Sequence, residues 1–423
     1  MNSKYITSVQ YLRLYLSMVI IIFSIVFSNV QIYALALLAL IFFSDFVYGS
    51  SFSPKQWIYI PVILLGLLSL SGLMWTADIQ TTLPQVIRLL IGIMLFFIII
   101  SNVSQLRQYQ HILLGVALLL NALVLYGLLT VKWDPPFDSL NSWIATSLPV
   151  KIPDDVNSNV LSGTVVVFWG VIAGVLVYAW NDLRFWIKLL FFISLFPALV
   201  ILYMSQARGA WVAWGFILIV ILLQSSRKVL MPSLVFILLA SSIVGFLFFE
   251  DFRQMIARPS EIEGLTGRLE IWRSGLTLLR DFPFTGVGLG MFGPATDIFY
   301  SLTEFERGKI VHAHNLILQI GVDLGFPGIV TWLIIWARLT YMSWELARYG
   351  RRAKKPFILS LGTGFLSGQT ALMVHGMFDA VTWGMVRPAP FIWGLWGLIM
   401  SAYLMVGGLK KNTYVKLDLI KTE

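Results

Sequence analysis

Two histidines that are two residues apart, His312 and His314, are the leading candidates for chemistry in this sequence. They stand in the segment Val-His-Ala-His-Asn-Leu, immediately before an apolar stretch. A neutral imidazole, whose ordinary pKa lies near neutrality, is suited to removing the proton from an attacking hydroxyl. A structural explanation competes with this hypothesis, because a histidine at a membrane interface, or Asn315 beside it, can cap the start of a helix. The segment therefore predicts either a general base or a helix cap.

His375 and Asp379 form a second candidate pair. They are four residues apart in Met-Val-His-Gly-Met-Phe-Asp, and residues at this spacing share one face of a helix. The pair could orient the loop that carries the catalytic base, form an acceptor subsite, or simply pack. Together with the His-x-His segment it could also supply the ligands of a zinc ion. Because the sequence shows no tight ligand cluster, we expect no metal.

Five arginines could stabilise the negative charge of a departing diphosphate. Guanidinium groups at a water-poor surface can do this without a metal. Arg208 lies in a very short turn between two apolar stretches, and Arg88 lies about one and a half turns inside another. For both, the alternative is a side chain that merely extends to the membrane surface. The candidates are Arg88, Arg208, Arg268, Arg273 and Arg280.

An amphipathic helix and a glycine-rich turn are predicted between the arginines and the histidines. The periodicity over 266–282 indicates the helix, with Arg273 and Arg280 on its polar face. Its apolar face would carry Leu269, Trp272, Leu276 and Leu279. The Gly-Val-Gly-Leu-Gly segment at 286–290 follows. No strand precedes this segment and no Lys-Ser or Lys-Thr pair follows it, so a nucleotide-binding loop is not predicted.

Composition decides the class of protein. The chain has 423 residues, of which 58% are hydrophobic and 12% charged, and its mean hydropathy is +0.82. These values lie outside the range of soluble globular domains. Apolar stretches of about 20 residues recur along the chain, and their all-round apolar character indicates helices and not barrel strands. We therefore predict an all-α fold, a polytopic bundle of membrane helices; the absence of cysteine excludes disulfides.

Twelve transmembrane helices are predicted. Nine lie within 1–249, with an outer loop at 132–156, and the first is interpreted as a retained signal anchor. A large outer loop at 250–324 would carry the catalytic motifs, three helices follow over 325–408, and a basic cytoplasmic tail occupies 409–423. The predicted spans are 11–28, 31–48, 57–75, 83–101, 110–131, 157–180, 184–204, 209–225, 229–249, 325–345, 357–377 and 388–407.

Charge bias predicts the orientation. Placing both termini in the cytoplasm puts 18 of the 30 lysine and arginine residues on the inner side. The inner set has ten lysines and eight arginines, whereas the outer set has three lysines and nine arginines. Because arginine provides the bidentate fork that phosphate contact favours, the outer face is predicted to hold phosphate. The active site would then face the periplasm or the cell exterior.

In these motifs the chain resembles the O-antigen ligase and polymerase superfamily. The similarity covers roughly 200–380 and extends to the predicted helix number. The order of the motifs is more specific than any one motif alone. The residues that carry it are the Ser-x-x-Arg turn ending in Arg208, Gly267-Arg268-x-x-x-Trp272, the glycine turn 286–290 with Phe292, and His314-Asn315 followed after nine residues by Gly-Phe-Pro-Gly at 325–328.

The resemblance implies a metal-independent, inverting glycosyltransferase of the GT-C type in the bacterial inner membrane. The donor would be a glycan on undecaprenyl pyrophosphate, among membrane lipids, and neither a cofactor nor a nucleic acid is expected. The resemblance also implies that His314 is the general base and that Arg208 and Arg268 bind the pyrophosphate. The supporting residues would be His312, Asn315, His375 and Asp379.

The resemblance leaves three functions open. The segment at 325–328 lacks the threonine often seen in ligases. A ligase that acts on lipid A-core or another surface glycan is therefore not separated from a polymerase, whose acceptor is a second lipid-linked glycan. Some members of the superfamily are related to bicarbonate transport. A transporter would need ionisable residues along several helices at mid-membrane, whereas the charges of this chain gather at one surface.

Overall fold

The computed structural model describes residues 3–27, 30–47, 56–131, 133, 157–225, 265–299, 310–380, 382–383 and 388–420. Within these ranges every regular element is a helix, as predicted. The helices are α1 (Ser3–Val26), α2 (Gln31–Val47), α3 (Tyr59–Ser71), α4 (Ile79–Asn102), α5 (Leu106–Thr130), α6 (Ser158–Tyr178), α7 (Phe185–Met204), α8 (Arg208–Leu223), α9 (Leu265–Asp281), α10 (Phe292–Phe299), α11 (Leu316–Arg352), α12 (Pro356–Gly376) and α13 (Ala389–Ile420).

The chain is a polytopic helical membrane protein. Seven described helices are long and apolar enough to cross a membrane, namely α4, α5, α6, α7, α11, α12 and α13. The helices α1, α2, α3 and α8 are shorter apolar helices. Each of these eleven coincides with a predicted span. The ninth predicted span, 229–249, lies outside the described residues, as do 134–156 of the predicted first outer loop.

Two membrane helices are longer than the sequence predicted. The helix Leu316–Arg352 is interrupted at Gly325, whose φ of 69° and ψ of −171° are not helical, so the predicted start at 325 coincides with this break, and a helical segment that was not predicted precedes it from Leu316. The polar residues Gln319 and Asp323 in this first part had concealed its helical character. The last helix continues to Ile420, so most of the predicted tail 409–423 is helical.

One end of the bundle collects the motifs, and we call it the site end. Contacts place the starts of three helices beside the end of α12 or the glycine turn: Gly209 of α8 lies against Phe378, Asn315 before α11 bonds to the Met377 carbonyl, and Gln85 of α4 lies against Gly290. The opposite end is marked by Asn102, which donates a 2.6 Å hydrogen bond to Asp45, and by Arg351, which donates one to the Gln224 carbonyl at 2.6 Å. The site end therefore brings together segments that are far apart in the sequence.

Close packing of α6 against α12 holds the centre of the bundle. A Cβ added at Gly174 would lie 2.6 Å from the Cα of Gly364, so both positions require glycine. Small residues allow membrane helices to approach closely, where van der Waals packing drives their association. The end of α12, which carries His375, is thus anchored to a rigid core.

A second, smaller hydrophobic core lies beside the site end. It joins α9, α10 and the start of α11 through Ile271, Leu278, Phe292, Leu318 and Val322. The predicted large outer loop is therefore partly helical, and its described part is folded.

The buried face of α9 differs from the predicted one. Leu269 and Leu276, which were predicted to be on the buried apolar face, are 45% and 58% exposed. The buried face instead centres on Gly275, where an added Cβ would lie 2.9 Å from Leu318 and 3.2 Å from Phe292. The prediction was wrong at the two leucines because close packing favoured a glycine over large side chains.

Candidate active site

The His-x-His segment and Asp379 meet at the site end. The Nδ1 atoms of His312 and His314 lie 3.5 Å and 3.6 Å from the same oxygen, Asp379 Oδ1. The two imidazole ring centroids are 4.1 Å apart. Because the histidines precede α11 and Asp379 follows α12, two pairs of candidates from separate parts of the sequence form one cluster.

Arg268 and His375 lie close to this cluster. The positive charge of Arg268, on α9, acts electrostatically on both His312 and His375. Within the described residues, the buried Nε of Arg268 and the buried Nδ1 of His375 have no hydrogen-bond partner. The cluster therefore has an unused donor on the arginine, next to carboxylate and imidazole groups.

The two histidines of the segment have different hydrogen bonds. His312 Nδ1 accepts a 3.2 Å hydrogen bond from the backbone N–H of His314, so this nitrogen carries no proton and cannot donate to Asp379. His314 Nδ1 is buried, has no hydrogen-bond partner among the described residues, and lies just beyond hydrogen-bonding distance of the Asp379 carboxylate. Only His314 can therefore direct a protonated Nδ1 to Asp379 and keep its Nε2 free to accept a proton.

The backbone of His314 has an uncommon conformation. Its φ is 46°, in the left-handed region that residues other than glycine seldom adopt. Such a conformation persists only where the surroundings hold it, and it is often found at functional sites. Here Gln319 contributes, because its Oε1 accepts a 2.8 Å hydrogen bond from the N–H of Ala313.

Asn315 begins α11 and connects it to the end of α12. Its Oδ1 accepts a 3.0 Å hydrogen bond from the N–H of Leu318, which makes Asn315 the helix cap. Its Nδ2 donates to the Met377 carbonyl at 3.3 Å. Of the two roles predicted for this segment, the helix cap is therefore provided by Asn315.

Asp323, which was not among the candidates predicted from the sequence, connects three parts of the site: α11, the glycine turn and the segment after α12. It is fully buried, and its Oδ1 accepts hydrogen bonds from Gln319 Nε2 at 2.9 Å and from the N–H of Gly290 at 3.1 Å. Its Oδ2 accepts one from Trp383 Nε1 at 2.8 Å. The sequence does contain a signal that could have identified Asp323, namely a carboxylate within an apolar stretch. Burying such a charged group costs free energy unless it is fully hydrogen-bonded.

The glycine turn at 286–290 packs against the kink of α11. Gly286 has a φ of 64°, and a Cβ there would lie 2.4 Å from the Asp323 carbonyl carbon. A Cβ at Gly325 would lie 2.6 Å from the Pro283 carbonyl oxygen, which accepts a 2.7 Å hydrogen bond from the N–H of Phe326. The glycine turn at 286–290 and the Gly-Phe-Pro-Gly segment at 325–328, which both carry the family resemblance, thus pack directly against each other. The glycines of the turn are required for this close packing.

Arg208 and Arg88 are placed at the site end by two different helices, α8 and α4. Arg208 is exposed at the first residue of α8, and Gly209 beside it touches Phe378, where an added Cβ would lie 2.7 Å from the Phe378 Cβ. This contact places the start of α8 against the residue that precedes Asp379. Arg88 is partly buried and lies three residues after Gln85, whose amide an added Cβ at Gly290 would overlap.

Arg273 and Arg280 are placed away from the cluster. Both are exposed on α9, and at 3.6 residues per turn they lie roughly 120° to 140° around the helix from Arg268. The structure therefore brings Arg268 to the histidines and leaves the other two arginines on the outer side of α9.

A comparison with known families agrees with this arrangement. Residues 193–333 match the O-antigen ligase family. The resemblance to the O-antigen ligase and polymerase superfamily is therefore confirmed over this third of the chain. No curated protein matches the chain at a significant level.

The O-antigen ligase match contains most of the candidate residues. The matched range contains seven candidates: Arg208, Arg268, Arg273, Arg280, His312, His314 and Asn315. The remaining candidates, Arg88, His375 and Asp379, lie outside it. Asp379 thus lies outside the matched range in sequence but beside its two histidines in the folded chain.

The protonation of the cluster follows from burial and charge. Burial lowers the pKa of His312 to about 4, against the opposing charge of Asp379, and the charges of His314 and Arg268 also lower it. Burial raises the pKa of Asp379. The polar interaction with the His314 side chain and the positive charges of His312, His314 and His375 outweigh burial and lower that pKa to about 2. At neutral pH the site therefore holds a carboxylate and a neutral His312.

This protonation predicts loss of stability in mild acid. The pKa of His312 falls from 6.5 in the unfolded chain to about 4 in the folded one, so between these values the unfolded chain binds the extra proton. Stability should fall as pH decreases below about 6.5, by roughly 1 to 2 kcal/mol at pH 5. Protonation of Asp379 should reduce stability only below pH 3.8, the ordinary pKa of an aspartate.

Thermal unfolding of purified protein at pH 7 and pH 5 checks this expectation. His312→Gln is the matched variant, since its side-chain oxygen can still accept the His314 N–H but does not titrate. The variant should lose less stability than the parent protein between the two pH values. Equal losses would show that His312 is not the group responsible.

The cluster also has the composition of a metal site. One ligand atom from each of His312, His314 and Asp379 lies within 4.8 Å of the others, and such nitrogen and oxygen donors suit zinc. The sequence had not revealed this proximity. The positive charge of Arg268 opposes a divalent cation there. That the reaction needs no metal stays a prediction.

Asp323→Asn is expected to destabilise the site. An asparagine has one acceptor oxygen, so its NH₂ group would face a donor, either the N–H of Gly290 or Nε1 of Trp383. The expected loss is about 1 to 3 kcal/mol of unfolding free energy, together with reduced glycan transfer. Thermal unfolding and a transfer assay measure both effects.

A double variant isolates the hydrogen-bond conflict at Asp323. Trp383→Phe removes the indole N–H, so Asp323→Asn should lose less stability in its presence than in the parent protein. If Asp323→Asn lowers the unfolding free energy equally in both backgrounds, the Trp383 contact is not what fixes the carboxylate.

Proposed function

We propose that this protein is an O-antigen ligase-type glycosyltransferase. It moves a glycan from undecaprenyl pyrophosphate to an acceptor hydroxyl, on lipid A-core or another surface glycan, at the outer face of the bacterial inner membrane. The observation that carries the proposal is the convergence of His314, Asp379 and Arg268 at one end of a membrane helix bundle. The O-antigen ligase match at 193–333 supports the same family of reactions.

His314 is the general base of this reaction. Asp379, whose low pKa keeps it ionised, holds the proton on His314 Nδ1, so Nε2 accepts the proton of the acceptor hydroxyl. The hydroxyl oxygen then attacks the anomeric carbon of the donor sugar. His312, fixed through its own Nδ1, contributes to the shape of the pocket and to the conformation of His314.

Arg268 and Arg208 stabilise the leaving group. As the new carbon–oxygen bond forms, the bond between the anomeric carbon and the diphosphate oxygen breaks, and the diphosphate leaves with the electron pair. Attack from the side opposite the diphosphate inverts the anomeric configuration. Preorganised guanidinium donors near a buried site stabilise the developing charge without a metal, and the unused Nε of Arg268 is such a donor.

The bundle presents this site to a substrate held in the membrane. A polyprenyl chain stays in the bilayer while its diphosphate lies at the surface, which is the level of the site end. Both termini are cytoplasmic in this proposal, and the site end faces the periplasm or exterior, as the arginine-rich outer set indicates.

Reconstitution of the purified protein tests the proposal. The protein in lipid nanodiscs receives an undecaprenyl pyrophosphate-linked oligosaccharide with either lipid A-core or a second lipid-linked oligosaccharide as acceptor. Mass spectrometry then identifies the product. A glycan joined to lipid A-core supports a ligase, and a lengthened lipid-linked glycan indicates a polymerase. Absence of any transfer by protein that folds and binds donor would reject the enzyme.

A chelator in the same assay tests the metal-independent mechanism. Transfer should be unchanged after treatment with EDTA, because guanidinium groups neutralise the diphosphate. Inhibition by EDTA that zinc reverses would assign His312, His314 and Asp379 to a catalytic metal instead.

A further inference from the structure

The outer side of α9 carries one continuous stripe of leucine and arginine. Leu269, Arg273, Leu276 and Arg280 follow one another at intervals of four, three and four residues, so they share one helix face. All four are exposed, the leucines by 45% and 58%. The stripe lies opposite the face that buries Ile271. Among the residues that the structure describes, none covers this stripe, which leaves it open to a partner outside the chain.

The stripe ends at the level where the membrane helices end. Trp75, just after α3, donates a 3.2 Å hydrogen bond from Nε1 to the carbonyl of Thr285, four residues after α9. Around this contact, Met74 and Phe284 are 84% and 75% exposed. Exposed aromatic and apolar side chains beside the end of a membrane helix mark the boundary between hydrocarbon and headgroups.

We infer that this stripe docks α9 onto the anionic phospholipid headgroups of the leaflet at the site end. A helix that alternates leucine with arginine on its exposed face can insert its apolar side chains into the boundary while its guanidinium groups contact phosphates. Each arginine near an anionic surface strengthens the attraction by roughly five-fold. Arg273 and Arg280 thus position the helix that carries Arg268, and their ligand is the bilayer itself.

The chemistry of the stripe separates this ligand from the diphosphate of a donor. A diphosphate held at a defined site requires the bidentate fork of arginine, whereas a fluid layer of headgroups attracts any positive charge. Replacement by lysine should therefore preserve docking, and replacement by glutamine should abolish it. The inference goes beyond the proposed function, since it concerns attachment to lipid and not transfer.

Hydrogen exchange of the 265–281 peptide tests the inference. The full-length protein is placed in nanodiscs of phosphatidylcholine alone or with phosphatidylglycerol, without donor. We expect exchange to be roughly ten-fold slower with phosphatidylglycerol, as two arginines at roughly five-fold each allow. The Arg273→Gln/Arg280→Gln protein should lose this protection, and the Arg273→Lys/Arg280→Lys protein should keep it. Arg107→Gln/Arg184→Gln, at the opposite end, is the matched control and should behave as the parent.

Two results would overturn the inference. One is exchange that does not depend on phosphatidylglycerol in the parent protein. The other is protection that appears only when undecaprenyl pyrophosphate is added and that the lysine variant lacks, which would assign the arginines to the donor.

The leucines provide a second, independent test. Leu269→Ser/Leu276→Ser should raise exchange of the same peptide in both kinds of nanodisc, because apolar insertion does not need lipid charge. Its melting temperature in detergent should match the parent, since neither leucine belongs to the buried core. Unchanged exchange in both nanodiscs would show that the stripe does not enter the bilayer.

Discussion

Replacing His314 by alanine should lower glycan transfer by roughly 10²- to 10⁴-fold, the usual contribution of a general base. Its Nδ1 lies 3.6 Å from Asp379, and of the two histidines in the segment only this one can direct a protonated Nδ1 to Asp379 while its Nε2 accepts a proton. The rate of product formation by purified protein in nanodiscs measures the effect. Because the replacement removes a partly exposed side chain that caps no helix, the protein should remain folded and abundant.

His111→Ala is the matched control for the base. This histidine lies near the start of α5, at the opposite end, with its ring 6.0 Å from that of Tyr11. It should leave transfer unchanged. Nearly full transfer by the His314→Ala protein would reject His314 as the base.

Asp379→Asn examines the orientation of His314 separately. The amide can hold His314 in the wrong tautomer, so transfer should fall strongly although the side chain keeps its shape. Equal transfer by the Asn variant and the parent would mean that the carboxylate has no part in aligning the base.

Arg268→Lys is expected to lower the turnover rate by about 10²- to 10³-fold, the typical effect of removing one preorganised donor to a transition-state charge. A lysine keeps the positive charge but replaces a planar fork by a point charge. Arg208→Lys should act in the same direction. Steady-state measurement of kcat and KM for the lipid-linked donor distinguishes lost transition-state stabilisation from lost donor binding.

Arg184→Lys is the control for the arginine variants, since this exposed arginine precedes α7 at the opposite end. If Arg268→Lys turned over as fast as the control, Arg268 would have a structural role only. A rise in KM without a change in kcat would limit the arginine to holding the donor.

The class of the protein and most of its helices could be predicted from the sequence. The length and all-round apolar character of a membrane span are local properties, so eleven predicted spans have a described helix. The identity of the chemical groups was also local: an imidazole in a His-x-His segment and guanidinium groups near it are visible in the residues themselves. The O-antigen ligase match at 193–333 confirms the family resemblance, and the motifs that carry it lie largely within that range.

Only the tertiary structure decided which groups meet. Asp379 is 65 residues from His314 in the sequence, and their contact depends on the packing of α11 against α12. The role of Asp323 depends on donors from three separate segments. The difference between His312 and His314 depends on one backbone hydrogen bond. The buried face of α9 depends on close approach at Gly275. These features are pairwise and long-range, whereas hydrophobic periodicity reports only the environment of one residue at a time.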